Sequence, residues 1–175
     1  MNKFIITGGP GSGKTSLIEQ LELRGYACSK EASRQLIIEQ VALVSEALPW
    51  LNLSAFADLA LERMKVLYCE SQNSSLTFFD RGIPDIIGYL KFAGRAVAEK
   101  YYEALDDCSY NSTAFILPPW EEIYVNDSER WQSFEESVQI YEAIKETYGE
   151  LNFNLIEVPK VPIKDRVTFI LNEIN

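Results

Sequence analysis

The residues with the most evident chemistry stand at the start of the chain. Gly8, Gly9, Pro10, Gly11, Ser12, Gly13, Lys14 and Thr15 form a complete G-x-x-x-x-G-K-[ST] run. At average residue frequencies its four fixed positions coincide roughly once in 30,000 sites, so chance is a poor explanation in 175 residues. The glycines let successive backbone N–H groups turn toward one anion, and a helix that follows adds its positive end. Lys14 supplies a mobile charge for β- and γ-phosphates, and the Thr15 hydroxyl is a Mg²⁺ ligand. The expected nucleotide contacts therefore run from Gly8 through Ser16.

Further charged residues stand where they could serve the same chemistry. Asp80-Arg81-Gly82 closes an apolar run. A carboxylate there suits a second Mg²⁺ anchor acting through water, and the Arg81 fork matches phosphate oxygens; the plain alternative is a surface turn with an ion pair. Pro84-Asp85 opens a helix, so Asp85 is either its cap or an acceptor ligand. Glu31 and Arg34 are three apart and share a helical face. Either Glu31 orients or deprotonates an acceptor hydroxyl while Arg34 binds an anion, or the two form an ordinary i,i+3 salt bridge. The polar stretch from Trp120 to about Phe134 carries Glu121, Glu122, Asp127, Glu129 and Arg130. It reads as a lid over about 118–134 that brings Arg130 to the γ-phosphate, or as a solvated helix hairpin. Val158-Pro159-Lys160-Val161-Pro162 is a stiff loop whose backbone, around Pro159, suits an adenine edge.

These residues must be positioned by a scaffold, and the pattern supplies one. Short apolar runs alternate with helical periodicity, which predicts a three-layer α/β fold with a parallel sheet. Strands are expected at Lys3–Thr7, Gly25–Ser29, Ser75–Phe79, Ser112–Leu117 and Phe153–Val158. Helices are expected after the glycine loop (Leu17, Ile18 and Leu21 on one face), in a long section ending with 54–72, and over 135–148 and 163–174. Ligands of such sheets sit beyond the carboxyl ends of the strands, where the charged residues above fall. No repeat or flexible linker divides the sequence, so one domain over 1–175 is expected.

Composition narrows the partners. A net charge of −10 argues against nucleic acid, and no apolar run approaches the ~20 residues of a membrane span. Without histidine, any general base is a carboxylate. The odd, scattered Cys28, Cys69 and Cys108 predict buried free thiols in a reducing cytoplasm, and no signal peptide is evident before the first strand.

On Gly8–Thr15, Glu31-Ala32-Ser33-Arg34, Phe79-Asp80-Arg81-Gly82-Ile83-Pro84-Asp85, Pro118-Pro119-Trp120-Glu121 leading to Arg130, and Val158-Pro159, the chain resembles a family of small AAA-type ATPases. That family is similar to ribosylnicotinamide kinase domains and, more distantly, to thymidylate kinases. The resemblance implies the nucleotide-kinase variant of the phosphate-loop fold, with strand order 2-3-1-4-5 and a helical lid. It implies ATP and Mg²⁺ as cofactors and a small-molecule phosphoryl acceptor. Lys14, Asp80, Arg81, Arg130 and Glu31 would then be catalytic, and Glu31, Arg34, Arg81 and Asp85 would face the acceptor. Thymidylate kinases carry an aromatic where this chain has Gly82, which leaves the acceptor unassigned. The resemblance implies adenine over guanine, and no Asn-Lys-x-Asp guanine reader stands against it. The competing reading, a regulatory NTPase switch, needs a water-positioning residue and a reordering segment that the sequence does not announce.

Overall fold

The computed structural model describes residues 2–71, 76–124 and 133–174. Five parallel strands build the sheet: β1 (Lys3–Gly8), β2 (Ala27–Cys28), β3 (Thr77–Asp80), β4 (Thr113–Leu117) and β5 (Asn154–Glu157). Their spatial order is β2-β3-β1-β4-β5, the expected one. Among the described residues seven α-helices surround it: α1 (Lys14–Leu23), α2 (Ala32–Ala42), α3 (Leu53–Glu70), α4 (Ile83–Phe92), α5 (Glu99–Asp107), α6 (Phe134–Glu150) and α7 (Ile163–Glu173).

Alternation along β1 divides the core. Phe4 and Ile6 face Leu17, Ile18 and Leu21 of α1 and Val167 and Ile170 of α7. Ile5 faces the opposite layer, with Phe56, Ala60 and Met64 of α3, Ile83 and Ile87 of α4, and Ile144 and Tyr148 of α6. Each fully buried aliphatic side chain contributes about 1.5–3 kcal/mol, so both layers anchor the central strand firmly.

Several boundaries differ from expectation. β2 shrinks to two residues because only Ala27 and Cys28 pair, with Thr77 and Phe78. The long helical section breaks into α2 and α3 at residues 43–52, and α3 begins where Asn52 caps it by accepting from Ala55 N at 3.1 Å. α5 was not foreseen. Asp80 belongs to β3 instead of following it, level with Ile6 of β1. The thiol expectation is corrected: Cys108 is buried, Cys28 half-buried and Cys69 exposed. Cys69 follows the buried Tyr68 and lies off the stripe of Ala57, Leu61, Met64 and Tyr68 that faces the core. Among the described residues, no helix is long and apolar enough to cross a membrane.

Candidate active site

The glycine loop leaves β1 and enters α1 through left-handed backbone. Gly11 has φ +72 and Gly13, the N-cap of α1, has φ +87, conformations that cost a side chain about 1–2 kcal/mol. Space demands glycine as well. A Cβ at Gly11 would stand 2.4 Å from the Tyr124 ring, and one at Gly13 would stand 3.1 Å from Arg166 Nη1 and 3.2 Å from Ile123 Cδ1. The 3₁₀ turn Glu121–Ile123 and Tyr124 thus lie against the loop. Lys14 is buried and folds back over the loop, donating to the Gly8 carbonyl at 3.1 Å and the Gly9 carbonyl at 3.2 Å. Burial, reinforced by Arg81, brings its ammonium down to about 8, against the opposing pull of Asp80, Glu31 and Asp85. A phosphate arriving here would replace carbonyl acceptors with a full negative charge.

Asp80 ends β3 with its backbone N–H bonded to Ser29 Oγ at 3.1 Å. Its buried Oδ1 has no hydrogen-bond partner among the described residues. Burial, with Glu31 and Asp85 nearby, raises its carboxyl to about 6, although Lys14 and Arg81 pull it down. An orphaned carboxylate oxygen near Lys14 fits a water on Mg²⁺, with the exposed Thr15 at the start of α1 as the hydroxyl ligand.

Arg81 is the turning point of the site. Its φ of +69 bends the chain off β3, and the buried guanidinium reaches back to the Gly8 carbonyl at 3.1 Å and Asp85 Oδ1 at 3.3 Å. Burial opposes its charge, but Tyr89, Asp85, Glu31 and Asp80 outweigh that and hold it above its usual value. Asp85 stands in the first turn of α4 and caps it by accepting from the N-cap residue Gly82 N at 2.9 Å. It also accepts from the Thr7 hydroxyl, and from the Tyr148 hydroxyl at 2.7 Å. This one carboxylate therefore ties β1, α4 and α6 to Arg81. A Cβ at Gly82 would stand 2.5 Å from Ile5 Cδ1, so any side chain there requires the tip of Ile5 to shift.

A cavity of about 540 Å³ joins the loop residues Pro10–Ser16 to Glu31, Arg34, Arg81 and Asp85. Glu31 is the N-cap residue of α2, one position before the helix expected to carry it, and its carboxylate lies 3.6 Å from Arg34 Nε. The two residues thus form an ion pair, and both line the cavity. Pro159, two residues beyond β5, accepts from Val161 N at 3.0 Å and is outside the cavity lining. Arg130, with residues 125–132 of the expected lid, lies outside the described residues.

Sequence reasoning missed Thr7, Tyr148 and Arg166. Arg166 of α7 is buried, donates from Nε to the Val161 carbonyl at 2.9 Å and from Nη1 to the Ser12 carbonyl at 3.4 Å, and stacks 4.5 Å from the Trp120 ring. It braces the loop from behind. Nothing in its local sequence marks it, because its partner Ser12 is 154 positions away.

Comparison with known proteins fits this architecture. Residues 3–166 match a family described as an AAA domain. The chain belongs to that family. No curated protein matches it significantly. Among solved structures, deoxyadenosine kinase from M. mycoides is 18% identical to this AAA-domain chain, with a TM-score of 0.69 over 99% of this chain and 98% of that one. The NadR protein in complex with NR is 14% identical with a TM-score of 0.74, over 99% of this chain and 50% of that one. Thymidylate kinase from Ehrlichia chaffeensis is 15% identical with a TM-score of 0.63, over 100% of each. At these identities the likeness is one of fold, and the AAA-domain chain shares the fold of these kinases.

Proposed function

We infer that this chain is a phosphotransferase in which ATP donates its γ-phosphoryl group to a nucleoside, nucleotide or similar small metabolite, with Mg²⁺. One observation carries the reading: a single cavity holds both the phosphate loop and a second charged cluster, Glu31, Arg34 and Arg81, of the kind an acceptor needs. The fold shared with nucleoside and nucleotide kinases supports it.

The loop from Gly8 to Ser16 would hold the triphosphate, with Lys14 moving from the Gly8 and Gly9 carbonyls onto the β- and γ-phosphates. Thr15 and Asp80 would hold Mg²⁺, which supplies neutralisation of the phosphate charge when bound. Among the described residues no group of three or more His, Cys, Asp or Glu side chains gathers to hold a metal, so the ion's remaining ligands would be phosphate oxygens and water. Glu31 orients the acceptor hydroxyl and takes its proton. Arg34 and Arg81 complete the acceptor side, and Asp85 acts through Arg81. Arg130 is proposed as the lid charge and Pro159 as the adenine contact, within one domain spanning 1–175. The net charge of −10 disfavours nucleic acid and is compatible with small phosphorylated partners, while the cytoplasm is proposed on the three scattered cysteines and no membrane on the lack of a long apolar run. The test is transfer of label from γ-labelled ATP to an added acceptor. Phosphate release to water alone, raised by a protein partner, would instead describe a switch.

A further inference from the structure

The cavity does not end at its charged residues. It continues between α2, α3 and α4 to Phe56, Ala60, Met64, Ile86 and Leu90, all buried. Ile38, Val41 and Trp50 line it as well and are about half exposed, so they form its rim. Between these three helices the lining is predominantly apolar.

Beyond the phosphate loop, the cavity's polar side chains other than Ser33 are mostly engaged with one another or in a helix cap. Glu31 pairs with Arg34 at 3.6 Å, and Arg81 with Asp85 at 3.3 Å. Glu136 accepts from Ser133 N at 2.9 Å in the cap of α6. Tyr89 stands over Arg81, 5.4 Å from guanidinium carbon to ring centre. Among the described residues, no Asn, Gln or His side chain lines the cavity. A nucleobase presents two or three hydrogen-bonding groups along its edge. Each one buried without a partner costs affinity about 5- to 150-fold. A phosphate acceptor would have to draw Arg34 and Arg81 away from the carboxylates they already face.

On the phosphotransferase reading above, we propose that the acceptor is an uncharged alcohol with an aromatic or branched aliphatic body, and that neither a nucleobase nor a phosphate occupies the inner cavity. Its body fills the space between Phe56, Met64 and Leu90, and its hydroxyl lies at the charged end beside Glu31 and Lys14. The hydroxyl oxygen bonds to the γ-phosphorus as the bond from that phosphorus to the β,γ-bridging oxygen breaks. The hydroxyl proton passes to the Glu31 carboxylate, and the products are a phosphomonoester and a nucleoside diphosphate.

The experiment uses the full chain with Mg²⁺ and a non-hydrolysable ATP analogue. Calorimetric titrations compare tryptophol, 3-phenylpropan-1-ol and geraniol with thymidine, deoxyadenosine and thymidine monophosphate. At least one alcohol is expected to bind tenfold or more tightly than every nucleoside and the nucleotide. Ile38→Asp and Val41→Asp, at half-exposed positions that tolerate charge, should each weaken that alcohol tenfold or more, with melting curves establishing that both variants are folded. Tighter binding of a nucleoside or the nucleotide overturns the proposal, as does no alcohol binding to protein that binds the ATP analogue. With γ-labelled ATP, a labelled alcohol supports it. A labelled nucleoside overturns it while leaving phosphoryl transfer intact, and label released to water alone overturns both.

Discussion

Asp80→Asn should make the protein more stable while impairing its chemistry. Burial lifts the Asp80 carboxyl to about 6 from its ordinary 3.8, with Glu31 adding to the rise and Lys14 opposing it. A carboxyl that binds its proton more tightly in the folded state costs stability once it must ionise. The cost is absent below pH 3.8, builds as pH rises, and is complete above about 6. The two-unit separation, at about 1.4 kcal/mol per unit, sets it near 3 kcal/mol. Asparagine has the same shape without the charge, and the attraction of Lys14 is already contained in that value, so the net gain at pH 7 should be about 3 kcal/mol. Urea unfolding of both proteins between pH 4.5 and 7.5 measures this directly. The gain should shrink as pH falls through 6 toward 4, and Mg·ATP should stabilise the wild type more than the variant. A variant that is less stable than wild type at pH 7, or whose gain is the same at every pH, would refute the assignment of Asp80 as a strained, buried anion.

Other consequences follow from the same contacts. Tyr148→Phe removes one hydrogen bond to the buried Asp85 carboxylate and leaves the ring packed, so it should cost about 1.5–3 kcal/mol in urea unfolding. Gly11→Ala places a Cβ 2.4 Å from the Tyr124 ring at φ +72; calorimetry should find triphosphate affinity reduced at least tenfold. Because burial brings Lys14 down to about 8, the free protein carries that charge below pH 8 and loses it above, so the affinity for ATP should decline as pH rises through 8.

The sequence made the sheet legible because its signals there are local. Lys3–Gly8 and Thr113–Leu117 are short apolar runs, and the glycine loop carries its meaning in eight consecutive residues. The strand order came with the family resemblance, as periodicity alone does not encode it. Ala27–Cys28 was overestimated because a strand's length depends on what its neighbour can pair with. The charged clusters were found as candidates but not in their geometry. Asp85 read as a cap, which it is, yet Thr7 and Tyr148 reach it across 78 and 63 positions and leave no local trace. Arg166 is hidden for the same reason, and Cys69, expected to be buried, is exposed because it lies off the core-facing stripe of α3.

The central claim is that the cavity couples a triphosphate to an acceptor hydroxyl, and a single-turnover experiment with γ-labelled ATP and Mg²⁺ addresses it most directly. With an alcohol or nucleoside acceptor present, label should appear in a phosphomonoester, and Lys14→Ala should abolish its formation. Label recovered only as inorganic phosphate, at a rate that no acceptor changes, or full transfer by Lys14→Ala, would contradict the account.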